Sequence, residues 1–393
     1  MRMINERAFA LGNNGSEIRE LAAYGSARAA IVGADKVYDF TIGNPSVPAP
    51  QLVQETVQQL LQTVPAVQLH SYTGANGEWE TRQAIARDLN SRYAADITAE
   101  ELFIGCGASQ ELCAVFHALA TPGAEILAFA PYFPEYKPFV EQTGAVFRVV
   151  PADLPGFQLD FSQVEACLSP ATCAVIVNSP NNPAGTVYTE QTLKTLAQLL
   201  TRKSEEFGHP IYIVSDEPYR ELVYDGVTVP YLPAIYPNTV ICYSYSKSLS
   251  LPGERIGYIL VPRQAQDSQK LYTAVAGASR ALGHICAPSL WQKVIARCAH
   301  LRPDLSIYEK NRKTLYEGLL EAGYEVAKPD GAFYLFVKVP GGDAHAFMEK
   351  AKKLDVLVVP GDSFGCPGYV RMCYCVKYQT IVDSLPLLRQ LAK

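Results

Sequence analysis

Apolar residues along the middle of this chain occur in short runs that alternate with longer amphipathic stretches. The runs 171–177, 211–214 and 239–243 are almost continuously apolar, which is typical of buried parallel strands. Between the first two lies 189–207, whose apolar spacing predicts an amphipathic helix. Further strands are expected at 101–105, 125–130 and 145–150, and a further helix at 109–120. This alternation predicts an α/β fold with a doubly wound, mostly parallel sheet and helices on both faces.

The C-terminal part of the chain has a different pattern. Its expected elements are helices at 303–321 and 344–353 and strands at 331–339, 356–359 and 369–376. They are typical of a smaller α+β domain. We therefore expect a large domain at 47–290 and a discontinuous small domain built from an N-terminal segment, 1–46, and the C-terminal residues 291–393.

Composition excludes several classes of function. The chain has 393 residues, of which 48% are hydrophobic and 19% charged, as is usual for a globular protein. Its net charge of -5 argues against a nucleic acid or an anionic membrane as partner, because both usually require basic patches. No apolar run approaches the roughly 20 residues that span a bilayer. No apolar signal core follows the charged N-terminus, so we expect a cytoplasmic protein without a membrane partner.

The ten cysteines are also typical of a cytoplasmic protein. Many lie inside apolar runs, as reduced core thiols do. Cys366, Cys373 and Cys375 cluster near the C-terminus, but they lack the second paired motif of a zinc site. We predict no metal.

Polar side chains follow the three most apolar strands. Asn182 lies in the loop after the first strand, Asp216 ends the second with Tyr219 close behind, and Ser244 and Lys247 follow the third. Each alone is explained as a turn residue, a helix cap or a core aromatic. Ligands of open α/β sheets bind beyond the carboxyl ends of the strands, so the joint placement predicts a site at this edge.

Lys247 suggests the chemistry of that site. A lysine at the mouth of a buried strand can lose its proton, and a neutral amine can condense with a carbonyl to form a Schiff base. Nearby serines and Arg255, eight positions later, are suitable phosphate ligands. The small residues at 105–108 precede a predicted helix, and its N-terminus favours an anion. A carbonyl and a phosphate on one molecule suggest pyridoxal phosphate.

The motifs together resemble those of the class I/II aminotransferases, which are pyridoxal-phosphate enzymes of fold type I. The segment from Ser244 to Lys247, with Arg255, is similar to the family's S-x-S-K followed by an arginine. The other matching segments are 72–77, 130–136, 182–185, 215–219, 331–334, 360–365 and 370–371. Ala184 replaces a threonine that is usual in the family. The resemblance covers the chain from about Ile18 to its C-terminus.

The resemblance implies roles for the residues of the strand ends. Lys247 would hold pyridoxal 5'-phosphate as a Schiff base and then carry the proton at the substrate Cα. Asp216 would pair with the pyridine nitrogen and keep the ring protonated. Asn182 and Tyr219 would contact the phenolic oxygen, and Tyr132 would stack on the ring, with an ordinary core aromatic as the alternative explanation of Tyr132.

The resemblance also implies a phosphate site and a second subunit. The expected phosphate ligands are Ala108, Ser109, Gln110, Ser244 and Arg255. Tyr72 would reach the phosphate bound by the neighbouring subunit, which makes a homodimer with shared active sites part of the hypothesis.

The sequence motifs define the substrate-binding residues less closely than the cofactor-binding residues. Arg371 would bind the substrate α-carboxylate, with Asn182 and the backbone of Gly43, although an arginine on a strand is often simply solvated. Ser46 stands where the family usually has an acidic residue. Arg280 would read a distal carboxylate, as in aspartate or glutamate, or it is a surface residue.

The expected function is an amino-acid aminotransferase, and aspartate aminotransferase is one candidate. It would pass an amino group between an L-amino acid and a 2-oxo acid in two half-reactions. A pyridoxal-phosphate C–S β-lyase would use the same lysine and Asp216. A non-catalytic regulator of this fold would need an added DNA-binding domain, for which no room is expected before Ile18.

Overall fold

The computed structural model describes residues 4–13 and 16–393, and these residues form two compact units. The larger unit comprises Val47–Leu305 and Asp330–Ala332. The smaller unit comprises the described residues up to Ser46, together with Ser306–Pro329 and Phe333–Lys393. Over the described ranges, no helix combines the length and the apolar character that crossing a membrane requires.

The described residues contain α-helices, short strands and short 3₁₀ helices; the strands and the α-helices are numbered separately along the chain. The strands are β1 (Tyr38–Asp39), β2 (Leu102–Gly105), β3 (Glu125–Phe129), β4 (Val146–Val150), β5 (Thr172–Asn178), β6 (Tyr212–Asp216), β7 (Thr239–Ser244), β8 (Gly257–Leu260), β9 (Glu325–Val326), β10 (Tyr334–Lys338), β11 (Val356–Leu357), β12 (Val359–Pro360) and β13 (Tyr369–Cys373). The helices are α1 (Glu6–Asn13), α2 (Glu17–Val32), α3 (Gln51–Thr63), α4 (Ala66–His70), α5 (Trp79–Tyr93), α6 (Ala108–Leu119), α7 (Tyr136–Glu141), α8 (Phe161–Cys167), α9 (Glu190–Phe207), α10 (Leu232–Ile235), α11 (Tyr245–Ser248), α12 (Ser268–Ala281), α13 (Ser289–Cys298), α14 (Ser306–Glu321), α15 (Ala344–Lys352) and α16 (Tyr378–Leu391).

One seven-stranded sheet forms the centre of the larger unit. Its strand order is β2-β8-β7-β6-β5-β3-β4. The pairs from β7 to β4 are parallel, whereas β8 is antiparallel to both β7 and β2. The expected doubly wound, mostly parallel sheet is confirmed. The sequence pattern did not predict β8, a run of only four residues.

Both faces of this sheet are covered by helices. Ile176 and Val214 face the cluster that holds the apolar side of α6 and α12. Their neighbours Val175 and Ile213 face the opposite cluster, which contains the apolar side of α9. Because each strand is buried on both faces, its residues are apolar at successive positions rather than at alternate ones.

Helix α9 is held at both ends by local interactions. The Thr189 side chain accepts a hydrogen bond from the N–H of Thr192 at 3.0 Å and caps the first turn. Gly208 ends the helix with a φ of 75°, a conformation that glycine adopts without strain. The prediction of a helix at 189–207 is therefore confirmed to within one residue.

The smaller unit is an α+β arrangement. Four strands form an antiparallel sheet in the order β12-β13-β10-β9, and β1 pairs in parallel with β11. Helix α14 packs against α16. The sheet buries Phe336, Val370 and Arg371, of which the arginine is only 2% exposed.

The expected domain boundary at 290/291 is wrong. Helix α13 belongs to the larger unit, which continues to Leu305. The reason is packing: Val294 and Ile295 on this helix are fully buried in the cluster that also holds α3 and α5. An apolar face of this kind fixes a helix to the unit that covers it.

The expected strand at 331–339 is also divided. The N–H of Gly331 donates to Gly185 O at 2.8 Å, and the N–H of Ala332 donates to Leu222 O at 2.8 Å. These bonds place both residues in the larger unit, whereas β10 begins only at Tyr334 in the smaller one.

Gly257 on β8 provides a test of the packing in the larger unit. A Cβ at this position would overlap Tyr243 O and Glu111 Oε1. We expect Gly257→Ala to lower the free energy of unfolding by about 2–3 kcal/mol, because overpacking a filled core costs energy of that size. Gly253→Ala is the matched control, since its Cβ would meet no atom within 4 Å. Urea unfolding of both variants checks this, and equal shifts would contradict it.

Candidate active site

The ends of three parallel strands bring the polar residues of the larger unit to one edge. Asn178 at the end of β5 lies opposite Asp216 at the end of β6, which lies opposite Cys242 on β7. The Asn178 amide donates to Asp216 O at 2.9 Å, and its oxygen accepts from the N–H of Asn182 at 2.7 Å. Asn178 thus positions two of the predicted site residues. From the sequence alone, Asn178 was expected only to end a strand.

The two oxygens of the buried Asp216 carboxylate differ in their hydrogen bonding. The Tyr136 hydroxyl donates to Oδ2 at 2.5 Å. Oδ1 has no hydrogen-bond partner anywhere in residues 4–13 and 16–393. The pKa of Asp216 is raised to about 7, because burial raises it more than the hydrogen bond from Tyr136 lowers it, and the charge of Glu217 adds to the rise. Tyr136 lies in the matched segment 130–136, but the sequence analysis assigned it no function.

The bare oxygen of Asp216 indicates what this site binds. A buried polar atom without a partner costs about 1–3 kcal/mol, so such an atom usually has a ligand to meet. A carboxylate oxygen only accepts, and a charged N–H donor satisfies it best. The protonated nitrogen of a pyridine ring is a donor of this kind. The residues present therefore fit the ring of pyridoxal phosphate.

Lys247 lies on the single-turn helix α11, directly after β7. Ser244 caps this helix: its hydroxyl accepts from the N–H of Ser246 at 3.2 Å and lies 2.7 Å from the Ser246 hydroxyl. Lys247 itself is half-buried. The lysine thus starts from a fixed turn at the mouth of the sheet.

The loop before α6 has the features of an anion site. Gly107 has a φ of 92°, and a Cβ there would come within 2.8 Å of Arg255 Nη2, so the guanidinium packs directly against the loop. Arg255 Nη1 donates to Pro252 O at 2.9 Å. Ser109 is exposed in the first turn of a 12-residue helix. The first N–H groups of such a helix point toward a bound anion.

Gln110 has a supporting place in this loop. Its side-chain oxygen accepts from the N–H of Cys106 at 2.6 Å, and its own N–H donates to Gly107 O at 3.0 Å. Ala108 is buried between them. These bonds shape the loop around the helix N-terminus.

The remaining predicted residues differ in exposure. Asn182 and Tyr219 are buried, whereas Tyr132 is half-buried and packs edge-on against Phe147 at 5.2 Å. Tyr72 is 96% exposed after α4, and Arg280 is exposed in the last turn of α12. The strand-end residues thus share one sheet edge, while Tyr72 and Arg280 face solvent.

In the smaller unit, Arg371 lies in an aromatic pocket. Its Cζ is 4.7 Å from the centre of the Tyr334 ring and 5.0 Å from that of Phe364. Nη2 donates to Thr41 O at 2.5 Å. A Cβ at Gly43 would overlap the Tyr334 hydroxyl, so this loop needs glycine there. Such burial is unlike that of a solvated strand arginine.

Glu111 is a buried acid on α6 to which none of the sequence motifs drew attention. Both of its oxygens lack hydrogen-bond partners within the described ranges, and burial raises its pKa well above the usual range. It lies next to Gly105 and Gly257, which leave it room because neither carries a Cβ.

Comparisons with known proteins agree with this geometry. Residues 35–383 match the family described as aminotransferase class I and II. A crystal structure of an aminotransferase from Eubacterium rectale is similar with a TM-score of 0.98 and 52% identity, covering 100% of this chain and 98% of that one. Aspartate aminotransferase from Thermotoga maritima is 31% identical over 94% of both chains. Aspartate aminotransferase from Thermus thermophilus, solved with maleate, has a TM-score of 0.85 at 26% identity over 100% of both chains.

The pKa of Asp216 has a measurable consequence for the cofactor-free protein. Because this pKa rises from 3.8 to about 7 on folding, the folded protein holds the proton more tightly, and that stabilisation is lost as the pH rises from 4 to 7. We therefore expect Asp216→Asn, which does not titrate, to gain stability over the wild type across this range, by on the order of 4 kcal/mol. Urea unfolding at a series of pH values checks this. A constant difference would contradict it.

Proposed function

Because the chain belongs to the class I and II aminotransferases, which transfer amino groups between amino acids and 2-oxo acids, we propose that pyridoxal 5'-phosphate binds at the strand ends of its larger unit, with Lys247 as the attachment residue. The observation that carries this proposal is the buried Asp216 oxygen that lacks a hydrogen-bond donor within the described residues. Lys247 on its capped turn after the neighbouring strand supports it.

Each residue at this edge of the sheet then has its own proposed role in the reaction. When bound, pyridoxal phosphate supplies a carbonyl that condenses with amines and a ring that accepts electrons from the substrate Cα. Asp216 holds the proton on the ring nitrogen. Lys247 moves the proton at the substrate Cα as general base and acid. Asn182 and Tyr219 donate hydrogen bonds to the phenolic oxygen, and Tyr132 covers one face of the ring.

The phosphate is proposed to bind at the start of α6. Its negative charge is balanced by the guanidinium of Arg255 and by the positive end of the helix dipole. Ala108 and Ser109 contribute N–H groups, and the Ser109 hydroxyl is exposed for a further bond. Ser244 is the second proposed hydroxyl ligand, and Gln110 shapes the loop.

Arg371 is proposed to bind the α-carboxylate of the substrate. A guanidinium forms two parallel hydrogen bonds to a carboxylate, and flanking rings fix its plane. The Tyr334 and Phe364 rings support this role, because they lie 4.7 and 5.0 Å from Arg371 Cζ. Gly43 contributes backbone contacts from the neighbouring loop, and Asn182 is proposed as a further substrate ligand.

We further propose a homodimer in which Tyr72 reaches the phosphate bound by the partner. Tyr72 is 96% exposed and Val67, in the preceding helix, is 85% exposed, which is unusual for side chains of this size. A second copy of the chain would cover them. A reducing, cytoplasmic location is supported by the free thiols of all ten cysteines.

Dicarboxylic amino acids are the proposed substrates. The Thermotoga and Thermus relatives are named aspartate aminotransferases, and the Thermus structure contains maleate, a dicarboxylate. Arg280 supports a distal-carboxylate role because its guanidinium is exposed and available to a neighbouring subunit.

Lys247→Ala tests the attachment residue. After borohydride reduction, we expect the wild type to retain the cofactor mass on the peptide that contains Lys247, and the variant to retain none. The half-reaction with an amino acid should slow by about 10²–10⁴-fold, the usual contribution of a general acid-base group. Lys194→Ala, an exposed lysine on α9, is the control and should behave as wild type. Mass spectrometry and the change in visible absorbance with single amino acids give the readouts.

Two outcomes would contradict the proposal for Lys247. Cofactor mass on another lysine would exclude it as the attachment residue. An absorbance that no proteinogenic amino acid changes would exclude amino transfer. Release of pyruvate and ammonia from a sulfur amino acid, in a reaction to which no 2-oxo acid has been added, would instead identify a C–S β-lyase.

Arg280→Ala tests the distal-carboxylate role. We expect kcat/KM for aspartate and glutamate to fall about 10²-fold, as for loss of a charged hydrogen-bonding partner. Activity with an aromatic amino acid should stay unchanged, since that side chain carries no distal charge. Steady-state kinetics with both classes checks this, and an equal loss on both would remove the specific role.

A further inference from the structure

A buried cluster of charged and phenolic side chains lies behind β7 and takes no part in the proposed chemistry. We call it the β7 cluster; its members are Arg92, Glu217, Arg220, Glu221, Tyr243, Ser248 and Tyr258. The two carboxylates balance the two guanidinium groups. The side chains of Arg220, Glu217 and Glu221 are only 4–5% exposed. Charges so deeply buried are costly unless they are fully paired.

Arg220 is the centre of the β7 cluster. Its guanidinium lies 2.9 Å from Glu217 Oε2 and 3.3 Å from Glu221 Oε1. It also donates to the Tyr258 hydroxyl at 2.8 Å, and its Cζ lies 4.3 Å from the centre of the Tyr243 ring. All these partners fix the guanidinium in one orientation.

Glu221 is held between two guanidinium groups. Arg92 on α5 forms an ion pair with it, in addition to Arg220. Burial alone would raise the pKa of the Glu221 carboxyl, but the two positive charges outweigh burial and hold the pKa below its usual range. Glu221 is therefore an anion, which can only accept hydrogen bonds.

The direction of the next hydrogen bonds follows from that charge. The Tyr243 hydroxyl lies 2.8 Å from Glu221 Oε2 and 2.8 Å from Ser248 Oγ. A phenol has one proton, and Glu221 must receive it. Ser248 then donates its own proton to the Tyr243 oxygen. The chain of bonds thus runs from Ser248 through Tyr243 to an anion that two arginines hold in place.

Ser248 is the last residue of α11 and follows Lys247 directly. The first turn of that helix is fixed by the Ser244 cap, and Ser248 fixes its end. A helix of four residues has little stability of its own. The position of Lys247 therefore depends on attachments such as these two and the bond from the Tyr245 N–H to Ile256 O at 3.2 Å. Tyr243 is 1% exposed, so water does not replace its bond to Ser248.

The same cluster also holds the segment that contains Asp216. Glu217 follows Asp216 directly, and its Oε1 accepts from the Ser215 hydroxyl at 2.7 Å. Its N–H donates to Cys242 O at 2.9 Å, next to Tyr243 on β7. The neighbours of both proposed catalytic residues are thus tied to one rigid set of charges.

We propose that Tyr243 is a positioning residue, which ties the Lys247 helix to the buried Glu221 anion through Ser248. The inference rests on the proposed role of Lys247, but the tie itself does not. The charged and titratable groups that face Tyr243 are Glu221, Arg220, Arg92, Tyr245 and Tyr258.

The test compares Tyr243→Phe, Ser248→Ala and the double variant. Phenylalanine keeps the ring beneath Arg220 and removes only the hydroxyl. We expect hydrogen exchange in residues 245–250 of the full-length protein, with and without cofactor, to become about five- to tenfold faster in each single variant, because both variants lose the hydrogen bond between Tyr243 and Ser248. The double variant should be no faster than either single variant, because both changes break the same tie.

A kinetic readout separates positioning from simple stability. We expect kcat to fall about tenfold in Tyr243→Phe with KM unchanged, because a displaced proton carrier slows the chemical step without weakening binding. Tyr236→Phe is the control: this buried tyrosine also loses its hydroxyl, which donates to Ile211 O at 2.7 Å, but that bond lies just before β6, at the edge of the sheet opposite to α11. It should change neither the exchange at 245–250 nor kcat.

The possible outcomes are distinct. Unchanged exchange at 245–250, additive effects in the double variant, or an equal response in Tyr236→Phe would each overturn the inference. If the exchange results hold but cofactor never attaches to Lys247 in the wild type, the proposed function fails and the tie between Tyr243 and Ser248 stands.

Discussion

The lateral hydrogen bonding of β5, β6 and β7 is the constraint on which the larger unit depends. It places the ends of three strands side by side, so that Asn178 meets Asp216 and Asp216 meets β7. Lys247 is distant from Asp216 in the sequence, so local structure around Asp216 cannot bring the two residues to the same edge. The sheet does so because parallel strands end at the same edge, and because helices on both faces bury the strands along their whole length.

Two buried carboxylates at this edge show how the surroundings set their charge. Asp216 and Glu221 are both enclosed, yet the pKa of Asp216 rises to about 7 while that of Glu221 falls. The difference lies in their partners. Glu221 has two arginines, whereas Asp216 has one phenol and a bare oxygen within the described part of the chain. One carboxylate is thus fully paired within the protein, and the other is the proposed acceptor for a charged donor from the cofactor.

The sequence predicted those parts of the site that depend on local pattern. Continuous apolar runs located β5, β6 and β7, and the polar residues that follow them led to Asp216 and Lys247. The hydrogen bond from Tyr136 to Asp216 was not predicted, because it joins residues 80 positions apart and hydrophobic periodicity does not indicate such a contact. Strand β8 was not predicted although it is as long as β2, and the split at Ala332 depends on bonds to the distant Gly185 and Leu222. Local pattern therefore predicted the groups that are proposed to react, while the groups that hold them could be found only in the fold.

The same distinction explains why the cofactor is easier to infer than the substrate. All amino acids share the α-amino group and the α-carboxylate, and the ring nitrogen belongs to the cofactor. The residues proposed to meet these groups, Lys247, Asp216 and Arg371, lie on strands or directly after them. Arg371 is 2% exposed and flanked by rings, so its place is fixed by the core. The substrate side chain is the variable part, and Arg280, the residue proposed to read it, is exposed at the end of a helix. A residue outside the core can change without cost to folding, so substrate preference can diverge among relatives that keep the same buried chemistry.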